Sequence, residues 1–132
     1  TDDITINATS GGTDTNSRFF TFVLHRGENA TTGANKTNKL IADKAYTINK
    51  AYAYATTGPT GAALIFDINL NGSTIWSTQA NRLQIAAGAN YGTQTSFNST
   101  SLVEGDVLSI DIDQIGSTIA GSDITVILRG DI

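Results

Sequence analysis

The sequence predicts an all-β fold, an antiparallel β-sandwich of jelly-roll type with eight to nine short strands, and three observations predict it. Thr, Gly, Asn and Ser together make 54 of the 132 residues, a mixture of strand and turn formers. Only 15% of residues are charged, with two Glu and four Lys, so the exposed faces of long helices would lack their usual side chains. Apolar residues recur with period two in short runs, and Gly, Asn and Asp stand between the runs. Ile, Leu, Val and Phe number 32, enough to bury the core of a single domain over residues 1–132. Within it, residues 1–17 suit an extended N-terminal arm or a linker from a longer protein.

Taken in order, residues 4–7 form a short edge strand, and residues 8–17, rich in Thr, Ser, Gly and Asn, form a loop. The first long strand covers residues 18–26, where Phe19, Phe20, Phe22, Val23 and Leu24 crowd together. A second polar loop at 28–38 leads to a short apolar segment at 40–42. Residues 45–57 then alternate at length. Tyr46, Ile48, Lys50, Tyr52 and Tyr54 share one parity there, which predicts a single face carrying an aromatic row. Gly58-Pro59-Thr60-Gly61 breaks that strand as a turn. In the next one Leu64, Phe66, Ile68 and Leu70 alternate with Ile65, Asp67 and Asn69.

Asn71-Gly72 is the strongest hairpin signal in the chain, because a type I′ turn needs positive φ at both central positions. A returning strand is expected at 73–77, a short apolar run at 83–86, a turn at 88–92 and a strand at 93–98. Glu104-Gly105-Asp106 turns the chain into a strand at 107–114, where Leu108, Ile110 and Ile112 oppose Ser109, Asp111 and Asp113. A loop at 116–122 precedes the last strand, marked by Ile124, Val126 and Leu128.

Charge and composition exclude several functions. The net charge is −4 with no cluster of Lys or Arg, so the basic patch that nucleic-acid binding requires is missing. No apolar run approaches the roughly 18 residues of a membrane span, so membrane insertion is not expected. Cysteine is absent, which removes disulfides and thiolate chemistry, and no cofactor motif occurs. Methionine is absent too, pointing to a processed protein or a piece of a longer one.

Candidate chemistry is sparse. His25 is the lone histidine and no nucleophile elbow accompanies it, so no catalytic residue and no enzyme activity is expected. Asp111 and Asp113 share one strand face, and Asp67 and Asn69 share a face of another strand; such oxygens are the hard ligands calcium prefers. The loop that normally organises such ligands is absent, so no metal is expected and these two aspartates stand as the candidates. Trp76 and Tyr91 are the candidate platform for a sugar, with Asn81 and Arg82 as polar neighbours and Tyr46, Tyr52 and Tyr54 as further rings. The competing expectation is that Trp76 and at least one tyrosine fill the core. Arg129-Gly130-Asp131 spells an adhesion tripeptide at the end of a strand, a match short enough to arise by chance.

About two-thirds of the chain carries a series of landmarks: "GPTGA–L–DIN–NG–TI", then "NR–IAAG", then "GD–L–IDIDQIGS–AG–D–TV–L". In these it resembles a β-sandwich, jelly-roll-like C-terminal module of bacteriophage virion appendage proteins, of the tail-fibre, head-fibre or decoration type. The resemblance implies a non-enzymatic structural and adhesive role on the virion surface, outside the cell, in host attachment or capsid decoration. It also implies a homotrimer contacting other virion proteins, with a host surface glycan as a ligand. Two other functions share the predicted fold: a carbohydrate-binding module of a secreted protein, and a self-assembling surface filament subunit.

Overall fold

The computed structural model describes residues 17–132. The expected edge strand at 4–7, nearly all of the loop at 8–17 and the N-terminal arm lie outside the described residues.

Ten strands occur among the described residues. They are β1 (Ser17–Asn29), β2 (Leu40–Ile41), β3 (Tyr46–Thr57), β4 (Leu64–Leu70) and β5 (Ser73–Thr74), followed by β6 (Gln84–Ile85), β7 (Tyr91–Gln94), β8 (Ser101–Leu102), β9 (Val107–Gln114) and β10 (Ser122–Asp131). The front sheet runs β1-β10-β3-β7, with β8 also paired to β3. The back sheet runs β2-β9-β4-β5, with β6 also paired to β4. All of these pairings are antiparallel. Among the described residues the first strand lies beside the last and the second beside the last but one, in the opposite sheet. The chain is thus one long hairpin rolled into two sheets, which is the jelly-roll form of the expected sandwich.

Alternation decides which side chains fill the space between the sheets. Phe20, Phe22 and Leu24 of β1 and Ile124, Val126 and Leu128 of β10 face inward from the front sheet. Leu64, Phe66 and Ile68 of β4 meet them from the back, with Leu108, Ile110 and Ile112 of β9. Each of these large side chains contributes about 1.5–3 kcal/mol by leaving water.

Strand β3 departs from its expected parity. Opposite it on β10, Arg129 pairs with Lys50 and Gly130 with Ile48, so Asn49 is an extra residue, a β-bulge. Tyr46 and Ile48 face the core before the bulge, and Ala51, Ala53 and Ala55 face it afterwards. Tyr52 and Tyr54 are thereby turned outward, and the single aromatic row splits between two faces. The Tyr46 ring packs edge-on to Phe20 at 5.6 Å, while its hydroxyl donates to Asp43 Oδ1 at 2.6 Å. That bond is the main reason the Asp43 carboxyl sits below the usual range and the Tyr46 phenol above its own.

The returning strand after Asn71-Gly72 is shorter than expected and ends at Thr74. Ile75 still donates its N–H to the Ile68 carbonyl at 3.0 Å, and Trp76 then leaves the ladder; both side chains are fully buried. Strand β7 likewise starts at Tyr91, two residues earlier than its expected position. The hairpin itself forms as expected, with φ of 50° at Asn71 and 88° at Gly72. Asn71 also ties this turn to Glu104-Gly105-Asp106. Its Nδ2 donates to Asp106 Oδ1 at 3.0 Å, and its Oδ1 accepts the Val107 N–H at 2.9 Å. The Val103 N–H and the Asn71 amide, in that order, lower the Asp106 carboxyl below its ordinary value.

Two glycines separate conformational from steric demand. Gly72 holds a positive φ in open space, whereas a Cβ on Gly92 would lie 1.8 Å from the Gln84 carbonyl oxygen. Gly72→Ala is therefore expected to cost about 1 kcal/mol, and Gly92→Ala about 3 kcal/mol or more because β6 and β7 must part. Urea unfolding followed by Trp76 emission measures both, and equal losses would contradict the steric assignment of Gly92.

Candidate functional site

The sandwich presents two outer faces of opposite character. On the back sheet the outward positions are Asp67 and Asn69 of β4 with Ser109, Asp111 and Asp113 of β9, and each of them but Ser109 has a side-chain partner. Arg82, just past a single 3₁₀ turn at Gln79–Asn81, reaches over this face. Its Nη1 donates to Asp113 Oδ2 at 2.9 Å and its Nε to the Trp76 carbonyl at 3.1 Å, with Asp67 Oδ1 3.5 Å away. The Thr74 hydroxyl donates to Asp67 and accepts the Trp76 N–H at 3.0 Å. One guanidinium thus joins β4, β9 and the excursion that delivers Trp76 to the core.

Asp67 is almost fully buried, and that burial pushes its carboxyl above the ordinary range. Its bond to Thr74 and the charge of Arg82 pull the other way, while Asp113 and Asp111 reinforce the rise. Asp111 accepts the Asn35 backbone N–H at 2.9 Å and the Asn69 amide at 2.9 Å. The two calcium candidates are thus held apart in different networks, Asp113 on Arg82 and Asp111 on two amides. Among the described residues no three acidic or histidine side chains gather into a metal-holding group.

The remaining sequence candidates also scatter. Trp76 is 0% exposed, its ring stacked on Phe97 at 5.5 Å and its N–H donating to the Ser96 carbonyl at 2.8 Å. It serves the core and presents no face to a sugar, because the apolar area of the indole stabilises the sandwich only when buried. Asn81 is exposed on its turn, where its carbonyl accepts from Gln94 Nε2 at 2.6 Å. Arg82 is committed to the aspartates. Only Trp76, Arg82 and Asp113 come together, and they do so as structure. His25 sits at a bulge of β1 with φ 49°, between the Glu28 carboxylate at 3.1 Å and the Thr31 N–H at 3.4 Å. Both ring nitrogens are engaged locally. Arg129-Gly130-Asp131 lies inside β10, where Ser17 and Asn49 hold the Asp131 carboxylate.

Tyr91 is open, at 56% exposure, and it stands with Tyr54 on the other outer face. Cross-strand register builds that face of the front sheet in rows. Phe19, Arg129 and Lys50 form one row, and Thr21, Ile127, Tyr52 and Thr93 the next. Val23, Thr125, Tyr54 and Tyr91 form the third. Phe19 at 56% and Tyr54 at 49% are as open as Tyr91, and between them lies a hollow of about 350 Å³ floored by Tyr52, Thr125 and Ile127. Apolar side chains exposed in one contiguous patch mark a contact surface. Phe19 and Ile127 had no signal in the sequence as members of this face, since only the strand order β1-β10-β3-β7 brings them beside Tyr54 and Tyr91.

The buried ion pairs predict a pH dependence. A carboxyl whose folded value is raised stabilises the fold most when protonated, and that contribution is lost as pH rises through the folded value. Arg82→Met leaves Asp67 and Asp113 without their cation and is expected to cost about 3 kcal/mol near neutral pH. The loss should shrink in acid, as pH falls into the raised range where Asp67 takes a proton. Urea unfolding at neutral and acidic pH checks this, and a loss that grows in acid would contradict it.

No protein-family profile and no curated protein sequence matches the chain. Among solved structures, the fold is similar to the Tobacco streak virus coat protein dimer, with a TM-score of 0.38 and 7% identity over 89% of this chain and 86% of that one. It is also similar to a structure of infectious bursal disease virus, Gx strain, with a TM-score of 0.28 and 14% identity over 88% of this chain and 37% of that one. At these scores neither likeness bears on function.

Proposed function

We propose that this domain is a non-enzymatic structural and adhesive module of a bacteriophage virion, displayed as a homotrimer on a tail fibre or the capsid surface for host attachment or decoration. The observation that carries the reading is the contrast between the two outer faces. The carboxylates of the back face are bound in structural networks, Asp67 and Asp113 on Arg82 and Asp111 on Asn35 and Asn69. The front face instead offers rigid, strand-mounted rings to the outside. That division suits a module that binds through a surface, not one that encloses a reaction.

The landmark series supports the same reading. Its turn residues sit at corners of the jelly roll: Asn71 ties its turn to Asp106 of another, and Thr60 bridges to Ile119 between the 58–61 turn and the 116–121 loop. They maintain a compact display scaffold. The exposed tyrosines also suit the carbohydrate-binding alternative, which differs in the parent protein and not in the surface used.

At micromolar concentration, light scattering is expected to report a trimer, and the fluorescently labelled domain is expected to adhere to intact bacterial cells within a broad panel. A monomer that adheres to none of them would sink the proposal.

A further inference from the structure

We propose that Asn71 is a modification site. Its side-chain amide is converted to a carboxylate by the neighbouring backbone, at a rate set by opening of the corner that ties the 71–72 turn to Asp106 and Val107. Asn71-Gly72 is the only Asn-Gly pair in the chain. Both residues are exposed, and a Cβ on Gly72 would meet nothing within 4 Å. Glycine is the least hindered neighbour for such chemistry, because no side chain shields its peptide nitrogen.

The reaction needs water and no partner, so it stands apart from whatever the domain attaches to. The Gly72 peptide nitrogen, on giving up its proton, attacks Cγ of Asn71. A C–N bond forms, the Cγ–Nδ2 bond breaks, and Nδ2 leaves as ammonia with a proton. The five-membered cyclic imide that results adds water at either of its carbonyls, giving aspartate or isoaspartate at position 71. Amide and water become acid and ammonia, with no change of oxidation state.

The fold holds the starting group at three atoms. Asn71 Nδ2 donates to Asp106 Oδ1 at 3.0 Å, Oδ1 accepts the Val107 N–H at 2.9 Å, and the Asn71 N–H donates to the Val107 carbonyl at 2.8 Å. Ring closure requires Cγ to swing onto the Gly72 nitrogen and Nδ2 to depart, so the bonds to Asp106 and Val107 must first open. Local openings of this kind precede global unfolding in exposed corners. The product cannot restore the corner. An oxygen replaces the Nδ2 donor, so two carboxylates face each other where an amide met a carboxylate. Isoaspartate also adds a backbone carbon to a turn of only two residues between Leu70 and Ser73. Asp106 itself stays in place, because its Oδ2 still accepts the Val103 N–H at 2.8 Å. Conversion therefore runs one way: opening permits it, and the product keeps the corner open.

The test is peptide mapping by mass spectrometry after incubation in mildly alkaline buffer, with the domain native or unfolded in urea. Conversion at Asn71 is expected to be roughly tenfold or more slower in the native domain, the protection that a few ordinary hydrogen bonds confer. Asp106→Ala removes the acceptor of Nδ2 and should bring the native rate up towards the unfolded one. Gly92→Ala disturbs β6 and β7 and touches no residue of this corner, so it should leave the native rate near the parent's. Unchanged Trp76 emission certifies that the variants are folded, since the indole is in the core. In the parent itself, hydrogen exchange at the Val107 N–H should report the same opening and be at least as fast as conversion. Asn71→Asp should lower the urea midpoint. The inference is overturned if Asn71 converts as fast folded as unfolded, or in neither state. It is equally overturned if Asp106→Ala leaves the native rate unchanged, or if Gly92→Ala raises it as much. A Val107 N–H that exchanges more slowly than Asn71 converts, or an Asn71→Asp midpoint equal to the parent's, also overturns it.

Discussion

Strand β3 must feed the core with large side chains at one end and small ones at the other, and the extra residue at Asn49 lets it do both. Before the bulge, Tyr46 and Ile48 point inward. After it, Ala51, Ala53 and Ala55 point inward, on a strand central to the front sheet, where small side chains leave room for Phe20, Phe22, Phe66 and Trp76. Without the bulge, Lys50, Tyr52 and Tyr54 would enter the core and the alanines would line the surface. The same single residue therefore fills the interior and delivers two tyrosines to the exterior. The Asn49 amide donates to the Asp131 carboxylate, which fastens the bulge to the end of β10.

A second constraint is set by the lone tryptophan. Its burial ends β5 after two residues and forces the chain through an excursion that Arg82 then anchors to Asp67 and Asp113. Buried ion pairs contribute little net stability against their desolvation, but losing one member is costly. The cluster is best understood as specifying where the excursion sits. In doing so it engages Asp113, one of the two aspartates that in isolation read as candidates for calcium, while Asp111 is held by Asn35 and Asn69.

Much of the fold was legible because its signals are local. The alternation at 64–70 and 107–114 needs only period two, and β4 and β9 fall on those residues. Asn71-Gly72 needs only two residues able to adopt positive φ. The strands at 73–77 and 93–98 were less legible, because whether Ile75 and Trp76 extend a ladder or turn into the core depends on what lies across the sandwich. The binding candidates were legible only as residue types. Tyr91 is exposed and Trp76 is buried, and both carry the same aromatic signal in the sequence.

By itself, the sequence determined the all-β class, the positions of the long strands and the corners between them, since each depends on neighbours a few residues apart. Tertiary structure alone decided the two sheets, the parity change at Asn49 and the joining of Phe19, Tyr91 and Ile127 to Lys50 and Tyr54 on one face. Those residues come from four strands spread over more than a hundred positions. Their proximity follows from strand order and register, which are set by how the whole core packs and not by any stretch of chain alone.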